Sequence, residues 1–115
     1  MRGGENQLGD CYEAAGKYMM DHGLFGGRPE MLLVHGEVTG QGRLEGMKYG
    51  HAWIEDGDMV IDESNGRSLQ IPRAVYYHLG KIGSNVHKYT MDEFRQQVTN
   101  HEHWGPWDLQ TESGL

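Results

Sequence analysis

His51-Ala52-Trp53-Ile54-Glu55-Asp56-Gly57-Asp58-Met59-Val60-Ile61-Asp62 is the stretch that decides how this chain folds. Asp-Gly between two apolar-rich runs is a strong signal for a two-residue hairpin turn of type I′. Strands are therefore expected over 48–55 and 58–62. Counting outward from Asp56-Gly57 pairs Glu55 with Asp58, Ile54 with Met59, Trp53 with Val60, Ala52 with Ile61, and His51 with Asp62. Directly opposed residues point to the same face, with β-carbons about 4.5–5.5 Å apart. A carboxylate then comes within reach of an imidazole nitrogen, whereas a slip of one residue would send the two to opposite faces. Glu55 and Asp58 share that face but lie nearer the turn, and read as solvated hairpin charges. Trp53 shares it too. It either walls a site or packs on the first helix, and the area an indole buries favours packing.

N-terminal to the hairpin, Met31-Leu32-Leu33-Val34-His35-Gly36-Glu37-Val38 reads as a strand with a buried first half. Residues 39–46 are glycine-rich and polar, so they read as a loop. Asp10 followed by Glu13 makes a capping-box pattern. Tyr12, Ala15 and Met19 then recur at helical spacing, and His22-Gly23 ends that helix. C-terminal to the hairpin, residues 63–67 read as a turn, and Pro72 opens a short helix through Leu79. A short strand follows over 86–89. Thr90 and Glu93 form a second capping box, with Phe94 and Val98 on the apolar face of a last helix. Residues 110–115 read as a loose tail.

One domain over residues 1–115 suits this length, because a typical domain holds roughly 100–200 residues. The 18 glycines point to many turns. The net charge of −7, from 10 basic and 17 acidic residues, comes without a Lys/Arg cluster. Nucleic acid and anionic membrane surfaces are thus not expected partners. No apolar run approaches the roughly 20 residues of a membrane span. Met1 to Asn6 has no apolar stretch behind its positive charge, unlike a secretory signal. The single cysteine, Cys11, can form no internal disulfide and fits a reducing compartment, so a cytoplasmic location is expected.

Cys11 is expected in the first turn of the first helix, beside unpaired backbone N–H groups and the positive end of the helix dipole. Both favour a thiolate, the nucleophilic form, and the N–H groups can also bind an oxyanion. An imidazole oriented by a carboxylate is the matching base. Catalysis by Cys11, His51 and Asp62 therefore competes with the plainer reading of a buried structural thiol and a structural His–Asp hydrogen bond.

Four segments carry a family resemblance. Gly9-Asp10-Cys11-Tyr12-Glu13-Ala14 resembles the G-x-C-x-x-A segment of transglutaminase-like cysteine enzymes. Leu32 to Val38 is similar to the strand that follows their cysteine helix, including its glycine. His51-Ala52-Trp53-Ile54-Glu55 is similar to their H-A-W-V-E strand, and Val60-Ile61-Asp62 to the next strand, which ends in aspartate. The resemblance spans residues 9–64. It implies an α+β fold with a papain-like core: a Cys-bearing helix packed on a small antiparallel sheet, plus a C-terminal helix. It also implies a Cys11–His51–Asp62 triad working through a thioester. Papain-like enzymes place a glutamine upstream of the cysteine as an oxyanion donor, which makes Gln7, or Asn6, the candidate here.

The expected function is a thiol hydrolase acting on an amide or related acyl bond, of peptidase or glutamine deamidase type, on a protein or peptide. A non-catalytic binding module that sequesters a protein or small ligand, and an acyltransferase with an amine acceptor, are the alternatives. No cofactor or metal is expected. His101-Glu102-His103 offers zinc-type donors, but a helix end there would not hold the two imidazoles on one face. His35, His78 and His87 carry no motif. Trp104-Gly105-Pro106-Trp107 caps the core, lines a groove or meets a partner, with anchoring of the C-terminus the plainest role. Tyr76-Tyr77 has the same open roles.

Overall fold

Gly57 sets the hairpin. It has φ +63°, and Asp58 does not share a positive φ. Glycine alone in that conformation, at the first central position, is the signature of a type II′ turn. The turn is therefore Gly57-Asp58, one residue later than the expected Asp56-Gly57. Asp56 joins the strand instead, and Arg28 grips its carboxylate with a fork (Nε to Oδ2 2.9 Å, Nη2 to Oδ1 2.7 Å). The register moves accordingly to Asp56↔Met59, Glu55↔Val60 and Ile54↔Ile61. Each partner shifts by two residues, so every side chain keeps its expected face. His51 and Asp62 are diagonal neighbours rather than directly opposed.

The structure, a computed structural model, describes residues 10–40, 42–64 and 66–112. It is α+β. Helix α1 spans Asp10–Tyr18 and runs on into a wider π-helical turn, Met19–Leu24. Strands β1 (Leu32–Thr39), β2 (Lys48–Asp56), β3 (Met59–Ser64) and β4 (Arg67–Pro72) follow, then α2 (Arg73–Leu79), β5 (Val86–Tyr89) and α3 (Met91–His101). The sheet is antiparallel throughout, in the order β4-β3-β2-β1-β5.

β4 was not expected. Its alternating residues, Leu69 and Ile71, carry a weak period-two signal, and Pro72 closes it at the sheet edge, where proline costs no ladder bond. The Thr90–Glu93 capping box forms in both directions, Thr90 Oγ1 accepting from the Glu93 N–H (3.2 Å) and Glu93 Oε1 from the Thr90 N–H (2.9 Å). Among the described residues α1 begins at Asp10. Glu13 pairs with Lys17 one turn on (2.6 Å).

Helices cover both faces. On one, Tyr12, Ala15 and Met19 of the first helix and Met91 and Phe94 of α3 bury Leu33, Ala52, Ile54 and Ile61. On the other, Tyr76 of α2 packs with Val34, Trp53 and Val60. Each fully buried large apolar side chain contributes about 1.5–3 kcal/mol. Trp53 thus packs under α2, not on the first helix as expected. Within the described part of the C-terminal segment, the Gln110 carbonyl accepts from Asn85 (2.9 Å), and the Glu112 N–H donates to Glu37 (2.9 Å).

Gly36 has a steric reason to be glycine. It lies opposite His51 in the β1–β2 ladder. A β-carbon there would come within 2.6 Å of the Trp53 ring and 2.8 Å of Val86. Gly36→Ala should therefore cost about 1–3 kcal/mol, the usual effect of overpacking, in urea unfolding followed by tryptophan fluorescence. An unchanged midpoint would contradict this packing.

Candidate active site

The paired stretch of β2 and β3 runs from Asp56↔Met59 to Ile54↔Ile61, while β3 stays paired with β4 out to Ser64↔Arg67. His51 and Asp62 both lie beyond that shared ladder. α1 packs against both strands, which brings its first turn to the same place. There Cys11 comes within interaction range of the His51 ring. His51 Nε2 donates to Asp62 Oδ2 at 2.9 Å. Only 12% of the His51 and of the Asp62 side chain is exposed, and Cys11 is 2% exposed.

Charge is balanced inside this enclosure. Burial alone would push the His51 imidazole down. Its hydrogen bond to Asp62, its interaction with Cys11 and the negative charge of Asp62 outweigh burial and raise it to about 10. Burial likewise works to raise Asp62. The hydrogen bond and charge of His51, with the hydroxyls of Tyr76 and Ser64, hold it below the usual carboxylate range. Tyr76 donates to Asp62 Oδ2 (2.6 Å), and Ser64 donates to Oδ1 (2.9 Å). Burial, then the charge of Asp62, push the Tyr76 phenol up, so it stays a donor. This arrangement holds an imidazolium beside a sulfur at neutral pH, with a carboxylate locked behind it.

Cys11, His51 and Asp62 are thus brought together. Gln7 and Asn6 lie outside the described residues. Trp53, the other oxyanion or substrate candidate, is fully buried, and its indole N–H donates to Glu55 Oε2 (3.1 Å). Glu55 is not a solvated hairpin charge either. It is 2% exposed and also receives Tyr77 Oη (2.5 Å) and Lys88 Nζ (3.0 Å). Asp58 is the exposed one, at 98%.

Ser64 and Tyr76 are the members of the site that the sequence did not announce. Ser64 had a signal, since it lies two residues from Asp62 on the same strand face. Tyr76 had none, because no local pattern says which strand a short helix covers.

The other motifs settle into structural roles. Glu102 caps α3 in the left-handed conformation, at φ 59°. His103 Nδ1 accepts the Gly105 N–H at 3.0 Å. Among the described residues no three His, Cys, Asp or Glu side chains converge as metal ligands would. Trp107 packs on His35 and Tyr89, with ring centroids 4.9 and 5.2 Å away. His35 is fully buried, and burial, with His87 nearby, pushes it down to about 3. Among the described residues no helix is long and apolar enough to cross a membrane. No family model matches the chain, and neither a curated protein nor a solved structure does.

The charges predict a pH signature. His51 sits above its ordinary 6.5, so its stabilisation is complete below that pH and is lost as pH rises toward about 10. Asp62 sits below its ordinary 3.8, so its share is present above that value and lost on acidification. The stability lost on His51→Gln, from urea unfolding, should be larger at pH 5.5 than at pH 9.5. Equal losses would contradict the charged pair.

Proposed function

We propose that the chain is a thiol hydrolase of the papain-like, transglutaminase-like kind, cleaving an amide or related acyl bond. The observation that carries this reading is His51 hydrogen-bonded to Asp62, with Cys11 within interaction range of the same ring. The four-segment resemblance, and a cysteine in the first turn of a helix laid on an antiparallel sheet, support it.

In this reading the Cys11 thiolate attacks the acyl carbon. The oxyanion that forms is met by N–H groups in the first turn of α1. The proton on the His51 imidazolium passes to the leaving nitrogen as the C–N bond breaks, leaving a thioester on Cys11. His51, now neutral, takes a proton from water as that water attacks the thioester. The acid leaves, the C–S bond breaks, and the thiolate–imidazolium pair is restored. Asp62 keeps one tautomer throughout and stabilises the charged ring without taking the proton. Tyr76 and Ser64 fix the carboxylate. The substrate is a protein, a peptide or a smaller amide, with deamidation of glutamine following the same steps.

Alkylation tests the thiol. A model thiol, with pKa about 8.5, loses about tenfold in rate per pH unit below that value. Cys11 should lose less than about threefold between pH 7 and pH 6 with iodoacetamide, a reagent small enough for a covered site. His51→Ala should restore the steep dependence. Hydroxylamine should then release an acyl group from Cys11 after incubation with peptide or glutamine-containing donors, read by intact mass. Steep pH dependence in the wild type, unchanged by His51→Ala, would favour a binding module. A thioester resolved faster by added amine than by water would favour an acyltransferase.

A further inference from the structure

Resting on this thiol-hydrolase reading, we infer that the groove beside His51 and Asp62 receives the leaving-group side of the substrate, and that this leaving group is an apolar amine bearing a carboxylate, such as a C-terminal leucine.

Position comes first. Cys11 approaches His51 from the core that α1 shares with Ala52 and Ile54. The groove, about 300 Å³, opens on the α2 side, with His51 and Asp62 in its wall beside Tyr76 and Leu79. In acyl transfer the acyl carbon bonds to sulfur, while the departing nitrogen takes its proton from the imidazole. The departing half therefore lies within reach of the imidazole, and this groove is the open space that the imidazole lines.

Its lining states what fits. Val38, Leu69, Ile71 and Leu79 give it an apolar side facing the polar one, and Leu69 and Leu79 stay 42% and 49% exposed around it. The volume sits at the small end of ligand pockets, which suits one large side chain rather than a long peptide. Arg67 also lines the groove. In a chain of net charge −7 it offers a cation where, among the described residues, the other charges in the wall are the paired His51 and Asp62. A carboxylate on the leaving amine answers that cation with charge-assisted hydrogen bonds.

The test uses N-acetyl-L-leucine and N-acetyl-L-leucinamide as probes on the full chain. They share the apolar side chain and the amide nitrogen, and differ only in the carboxylate. In methyl NMR titrations, N-acetyl-L-leucine should move the Leu69, Ile71 and Leu79 methyls and bind roughly tenfold more tightly than the amide, about the worth of one hydrogen bond to a charged group. Arg67→Gln should erase that preference while the apolar contact persists. Two results would overturn the inference: equal binding of the two probes, or methyl shifts elsewhere than this groove. The alkylation profile of Cys11, measured on the same samples, separates the two levels. A pH-insensitive, His51-dependent thiol with no groove binding removes the leaving-group assignment alone. Groove binding with an ordinary thiol removes the hydrolase reading, and the leaving-group role with it.

Discussion

The His51 imidazole, held between the Asp62 carboxylate and the Cys11 sulfur, is the interaction on which the rest of the site depends. A buried cation is costly unless both its N–H groups are met. Here the ring meets a carboxylate at 2.9 Å, with Cys11 within interaction range. Asp62 can serve because it is itself met by Tyr76 and Ser64. Buried polar groups of this kind stabilise only as a complete set, and removing one partner leaves the others uncompensated. The network also crosses the architecture. Cys11 comes from the α1 layer, His51 and Asp62 from the sheet, and Tyr76 from α2 on the far face. The site is therefore a readout of whether all three layers have docked.

The sheet makes that crossing possible. β2 and β3 share only a short ladder next to the turn, while each keeps its pairing with its outer neighbour. Beyond the ladder, α1 lies against both strands. Gly36, opposite His51, leaves room for the Trp53 ring under α2. A larger residue there would press on the indole, and through it on the neighbouring imidazole, whose ring centroid is 6.2 Å away.

Much of this was legible in the chain. Asp-Gly between apolar runs announced the hairpin, and the period of two placed His51 and Asp62 on one face. The two residues share a face in either register, because moving the turn by one residue moves the pairing by two. A side-chain period of two forgives such a shift and would not have forgiven a shift of one. The turn itself was misplaced for a tertiary reason. Arg28, far away in sequence, takes the Asp56 carboxylate and keeps Asp56 in the strand. Glu55 was misread for the same reason, since its partners Tyr77 and Lys88 come from other elements. β4 was missed because an edge strand with one apolar side and a closing proline carries little local signal. What local pattern encodes is face and cap. What it does not encode is which distant side chain satisfies a buried charge.

The most direct measurement is the ring titration of His51 by nitrogen-15 NMR, in wild type, Cys11→Ala and Asp62→Asn. The account predicts an imidazolium that persists through pH 8 in the wild type, because burial is outweighed by both partners. Removing either partner should bring the titration down markedly. A wild-type ring that titrates near 6.5, unmoved by loss of Cys11, would contradict the central claim that this histidine and this thiol form one working unit.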